Sequence, residues 1–330
     1  MNSMTMKWLL RREFWEHKGS MFWAQLIVAA ALVLFVGGSL VYAVLVHGAP
    51  TRVMINGHVV SQGAMAAAFP MEARSEIAGI ASGMYLAAGI PLFILMTATL
   101  FFYCLGALYD ERRDRSILFW KSLPVSDGTT VLSKVVTALC VAPLITMGFA
   151  IVASLALLLI GAAVMASAGI NLFGMLLSQP DLYLQPVRLL GMLPVYMVWA
   201  LPTIGWLMLV SSWAKTKPFL WAVGVPLMVL LLAKWISMAL GGFQQDALDV
   251  EWFASEVVAR GIGGLLPGIW FGFSGGVPAE VHRAGGGVDT QALFTASWMT
   301  LATARAWIGA LIGGAMIFGA IRLRRYRDEG

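Results

Sequence analysis

Charge is scarce in this sequence. Only 12% of its 330 residues are Asp, Glu, Lys or Arg, and 59% are hydrophobic. A soluble domain carries about 25% charged and roughly 45–50% apolar residues, so a water-soluble globular fold is excluded. The mean hydropathy is +0.81. Cysteine is nearly lacking. Cys104 and Cys140 both lie in apolar runs, which argues against a disulfide framework or a cysteine metal site. Both read as small buried hydrophobes. The four histidines, His17, His47, His58 and His282, are isolated, and none has the i, i+4 spacing of a zinc-binding helix. No metal site is expected. No Gly-rich turn ends in Gly-Lys-Ser/Thr, the string whose backbone N–H groups and lysine hold phosphates. The nearest stretch, Gly128–Lys134, has the wrong order. Acidic residues are lacking from the apolar runs, whereas a proton-driven carrier needs an ionisable group deep in a span.

What is present is a series of long apolar runs. A helix needs about 20 apolar residues to cross the hydrocarbon core. Six spans are expected, at 21–46, 80–108, 131–165, 188–212, 218–240 and 296–321. The uncharged run Val135–Pro180 is long enough to cross twice, and basic residues decide against it. With six spans, the N-terminus, the 109–134 loop, the 213–217 loop and the C-terminus share one side. That side then holds fifteen of the 22 basic residues. A seventh crossing would expose the last six of them, against the positive-inside rule. The expected class is therefore an all-α integral membrane protein with both termini cytoplasmic. The first run reads as an uncleaved signal anchor. The net charge of +5 is topogenic on this reading and does not imply nucleic-acid binding.

Residues 6–19 predict an interfacial helix, with Lys7, Arg11 and Lys18 on one stripe and Trp8 and Trp15 beside it. Tryptophan at headgroup level and basic residues toward lipid phosphate explain that pattern. The outer loop 241–295 turns apolar and Gly-rich around Gly261–Gly276, which predicts a short helix and a re-entrant piece. Trp270, Phe271 and Phe273 are candidates for an outer gate, or else aromatics at the lipid interface.

The most unusual stretch is Tyr109–Asp127, YDERRDRSILFWKSLPVSD. Eight of its nineteen residues are charged, with both signs mixed. Purely topogenic loops are simply basic, since acidic residues contribute little to orientation. Mixed sign predicts ion pairs, within the loop or with a partner. Pro124 ends the apolar piece, and Ser126 or Asp127 can cap the next helix. The stretch reads as a short interfacial helix, either a lipid anchor or a docking element.

These residues carry a resemblance. Asp110–Lys134, with Ser122-Leu123-Pro124-Val125-Ser126 and Ser133-Lys134, resembles the loop between spans two and three of ABC-transporter permeases of the type 2 exporter class. The six-span layout, the basic N-terminal helix and the outer segment before the last span are similar too. This chain departs at Asp127, where the family usually has Arg or Lys, and at Arg115, where it often has Gly. The resemblance implies a coupling helix in 109–127, with Asp110, Glu111, Arg112, Arg113, Asp114, Arg115, Phe119, Trp120 and Lys121 toward a separate ABC ATPase subunit. Arg11, Arg12, Glu13 and Glu16 are further candidate contacts. It implies two ATPase copies, a second permease copy as homo- or heterodimer, and placement in the inner membrane of a bacterium. ATP and magnesium would belong to the partner subunit, with no cofactor or catalytic residue here. The cargo expected from the apolar lining is hydrophobic or amphiphilic. Two other readings stand beside this one: a non-transporting membrane anchor or assembly subunit of a cytoplasmic complex, and a lipid-acting membrane enzyme. The missing acid, base and metal clusters count against the second of these.

Overall fold

A computed structural model describes residues 3–48, 52–55, 58–61, 71–114, 125–167, 169–240, 250–281 and 288–326. Six helices are long and apolar enough to cross a membrane: Gly19–His47, Arg74–Arg113, Asp127–Ser167, Pro180–Trp213, Leu220–Ala239 and Ala304–Tyr326. We call them spans 1 to 6. An N-terminal helix, Ser3–Glu16, precedes them.

Three features go beyond the sequence reading. The helical architecture carries one short antiparallel hairpin, β1 (Arg52–Ile55) with β2 (His58–Ser61), pairing Arg52 with Ser61 and Ile55 with His58. The sixth span begins at Ala304 instead of residue 296. A separate helix, Thr290–Met299, and a tight turn precede it, and the break falls at Thr303, whose backbone is extended (φ −83°, ψ 138°). The segment after span 3 packs into the protein. Ile170, Leu172 and Leu176 are buried in one cluster with Ala78 of span 2 and Ala162 of span 3.

Span 4 is the axis of the fold. Of its most apolar window, 61% is buried within the chain, against 11% for span 1 and 6% for span 5. Trp199, Ile204, Leu207 and Met208 of span 4 sit at the centre of the largest core cluster. Its closest neighbour is span 6. The two backbones meet at glycines: a Cβ on Gly205 would collide with the Gly313 carbonyl, and one on Gly313 would lie 2.5 Å from the Leu201 carbonyl oxygen. Small residues allow such an approach where lipid gives helices no hydrophobic reason to associate. The Gly309–Gly313 pair therefore serves packing within this chain.

Prolines are accommodated by borrowed donors. A proline inside a helix has no N–H and leaves the carbonyl four residues earlier without its usual partner. Pro186 frees Leu182, whose carbonyl accepts from the Tyr85 hydroxyl at 3.2 Å. Pro226 frees Ala222, whose carbonyl accepts from Trp206 Nε1 at 3.0 Å. Each bond joins two spans, so a local defect becomes a tertiary contact.

Candidate functional site

The residues that close one end of the bundle come from four distant segments. Ser126 caps span 3, its Oγ accepting from Thr129 N at 3.2 Å. Asp127 sits in the first helical turn, where a negative charge faces the positive end of the helix dipole. Lys134 stands seven residues on and thus two turns along the same face. The Glu13 side chain of the N-terminal helix is fully buried.

These groups form one ionic chain. Lys134 Nζ donates to Glu13 Oε1 at 2.9 Å and Oε2 at 3.1 Å, and it lies 3.1 Å from Glu111 Oε1. Tyr103 Oη donates to Glu13 Oε2 at 3.0 Å. Arg324, near the end of span 6, reaches Glu111 Oε2 at 2.5 Å and Asp127 Oδ1 at 3.1 Å. Arg12 approaches Glu111 at 3.9 Å and holds Glu16 at 2.7 Å. Leaving aside Glu16 at the rim, three acids (Glu13, Glu111, Asp127) face three bases (Lys134, Arg324, Arg12). A buried pair of this kind adds little net stability over an apolar replacement, but removing one member strands its partner in low dielectric.

The network also brings together both ends of the charged 109–127 stretch, since Glu111 and Asp127 share Arg324. Span 2 is fastened to span 4 alongside it. Ser211 Oγ accepts from Leu108 N and Tyr109 N, each at 2.9 Å. Arg112 Nη2 returns the contact, donating to the Ser211 carbonyl at 2.6 Å and the Ala214 carbonyl at 2.9 Å. Those carbonyls end span 4, where no intrahelical donor remains.

The sequence-predicted residues therefore divide. Glu13, Glu111 and Arg112 face the chain's own interior, each less than one-tenth exposed. Asp110, Arg113, Asp114, Arg11 and Glu16 are exposed, and Arg12 is half-buried. Arg11 lies over the Trp8 ring at 5.6 Å. Arg115, Phe119, Trp120 and Lys121 lie outside the described residues. A cavity of about 740 Å³ opens between the N-terminal helix and span 2, lined among others by Arg12, Glu16, His17, Tyr103, Asp110 and Asp114. Glu13, Glu16 and His17 each place one potential metal-ligand atom within 4.8 Å of the others. Both carboxylate oxygens of Glu13 already accept from Lys134 or Tyr103, so an ion there would compete with the Lys134 ammonium for Glu13. Sequence reasoning did not single out Arg324 or Tyr103, and it treated Lys134 only as part of a motif.

The three aromatics of the opposite end are buried inside the protein and do not line a lipid interface: Trp270 is 3% exposed, Phe271 and Phe273 7% each. Phe273 stacks on Trp199 at 5.9 Å between centroids, and Trp270 Nε1 donates to Ser297 Oγ at 3.2 Å. Arg260 enters beside them. Its guanidinium lies 4.7 Å over the Trp199 ring and against Gly309, where any Cβ would overlap it. Burial pulls its pKa below the usual arginine value. Glu256 opposes that shift and Arg305 adds to it, but the group stays charged.

Comparisons with protein-family models, curated proteins and solved structures return no match. Helix length and hydropathy define the class: this is a multi-pass helical membrane protein.

Proposed function

We propose that the chain is the permease subunit of an ATP-driven exporter, coupled to separate ABC ATPase subunits through residues 109–127. One observation supports this reading best. Glu111 and Asp127, at the two ends of that loop, converge on Arg324 and, through Lys134, on Glu13 of the N-terminal helix. A displacement of the loop by a cytoplasmic partner would be felt at once by spans 2, 3 and 6 and by the N-terminal helix. A loop serving only as a lipid anchor has no need of such a linkage.

On this reading the basic end is cytoplasmic and the membrane is the inner membrane of a bacterium. The buried Glu13, Glu111 and Arg112 transmit motion, whereas Asp110, Arg113 and Asp114, with Arg115, Phe119, Trp120 and Lys121, meet the ATPase. Spans 1 and 5, the least buried, face lipid or a second permease copy. ATP and magnesium are handled by two ATPase subunits. The cargo is hydrophobic or amphiphilic. Trp270, Phe271 and Phe273, packed behind Arg260, close the outer end of the pathway.

The test is reconstitution of the full chain with its ATPase partner in vesicles. Replacing Arg113, Arg115 and Trp120 together by Ala should abolish ATPase stimulation while the permease remains folded and in the membrane. Stimulation that survives this triple change contradicts the docking role. An ATPase whose rate is indifferent to the permease contradicts the exporter reading and favours a membrane anchor.

A further inference from the structure

A second cavity, of about 290 Å³, lies between spans 4, 5 and 6 and the outer segment beyond span 5. Its walls are apolar and include Trp206, Pro226, Ile312 and Met316, while Glu256 and Arg260 line one end. From Gly309, beside Arg260, to Met316 the wall runs seven residues along span 6, about 10 Å. The space is thus polar at one end and greasy along its length. Its volume sits near the lower limit of the ~300–1,000 Å³ typical of small-ligand sites. That suits one alkyl chain and is too small for a whole phospholipid.

Among the described residues, the charged end holds more bases than acids. One carboxylate, Glu256, serves two guanidinium groups at long range, 3.4 Å from Arg260 and 3.5 Å from Arg305. Arg260 is only 5% exposed, and its Nη2 donates to the Arg305 carbonyl at 2.7 Å. Its buried Nε has no hydrogen-bond acceptor among the described residues. Buried polar groups are almost always paired, and an unpaired one asks for a missing partner. Among the described residues two bases face one acid, Arg305 from an exposed position and Arg260 from a buried one, so an anionic oxygen at Arg260 would meet both the charge and the unused donor.

We propose that this cavity binds an anionic amphiphile, an alkyl chain carrying a phosphate or carboxylate head, with the head at Arg260 and the chain along Trp206, Ile312 and Met316. The molecule is either one acyl chain of a resident phospholipid or a free single-chain amphiphile. The site is separate from the ionic network at the basic end and requires no ATPase.

The full chain, purified in mild detergent from membranes containing phosphatidylglycerol and phosphatidylethanolamine, is measured by native mass spectrometry. After delipidation it is titrated with dodecyl phosphate and, in parallel, with dodecyltrimethylammonium. Retained phosphatidylglycerol identifies the bilayer as the source. Binding of dodecyl phosphate with no retained phospholipid identifies a free amphiphile. Arg260→Gln should remove the preference for the anion, but Arg260 also fastens the outer segment, so two milder variants carry the test. Ile312→Trp, on a half-exposed wall position, should lower occupancy about fivefold by filling the space. Glu256→Gln should raise it by removing the competing carboxylate. Equal binding of the two headgroups, or occupancy unchanged in both milder variants, overturns the proposal.

Discussion

The two ends of the bundle use charge in opposite ways. At the basic end, Glu16 aside, three acids and three bases form one branched chain of ion pairs, mostly between 2.5 and 3.1 Å. Four of the six members are buried, and the partners lie far apart in sequence. At the other end, two arginines share one glutamate at 3.4 and 3.5 Å, and a buried donor is left over. The first arrangement holds segments together. The second is incomplete and has room beside it. A charge cluster thus says little about role until its pairing is counted.

The largest expected effect comes from breaking the buried chain at its centre. Lys134→Met strands Glu13 and Glu111 in a buried site. It should cost about 3–5 kcal/mol, the range for removing one partner of a buried pair, read by thermal unfolding in detergent. Gly313→Leu ranks next, because its side chain meets the Leu201 carbonyl at the tightest helix crossing. Overpacking costs roughly 1–3 kcal/mol, and the loss should be at least that large because the obstacle is backbone. Ser211→Ala removes the acceptor shared by Leu108 N and Tyr109 N. It should cost about 1–3 kcal/mol, the penalty for unsatisfied buried donors, without changing folding of the opposite end. The smallest effect is expected at the rim. Glu16→Ala breaks an i, i+4 pair with Arg12 whose carboxylate is well exposed, and it should change stability by less than ~1 kcal/mol. If Glu16→Ala and Lys134→Met cost the same, the distinction between rim and buried chain fails.

The spans were legible because hydropathy over about 20 residues is a property of composition. Their number, and the single crossing of the long run after Lys134, came from the placement of basic residues. The start of span 6 was not legible, because Ala296–Thr303 is as apolar as the first turns of the span itself and only the backbone at Thr303 marks the break. The hairpin signal was present but passed over: Asn56-Gly57 separates two β-rich tetrapeptides, and Asn-Gly is the strongest short hairpin signal. Mixed sign in 109–127 predicted ion pairs within the loop or with a partner, whereas Glu111 and Asp127 pair with Lys134 and Arg324 of the chain's own spans. It did not reveal their direction, because Glu111 meets Arg324 across 213 positions and no local spacing encodes that. Arg112 was expected among the residues toward a separate subunit, and its Nη2 donates to two carbonyls at the end of span 4. An arginine beside a helix end can serve backbone as readily as a partner.

The account rests on the basic end acting as one network through which residues 109–127 reach the N-terminal helix and span 6. Among the described residues, Glu13 and Arg324 share no bond and are linked through Lys134 and Glu111. A double-mutant cycle with Glu13→Gln and Arg324→Gln, read by unfolding in detergent, measures that link directly. The network predicts a coupling energy of about 0.5–3 kcal/mol. Additivity of the two losses within about 0.3–0.5 kcal/mol, as for independent sites, would contradict it.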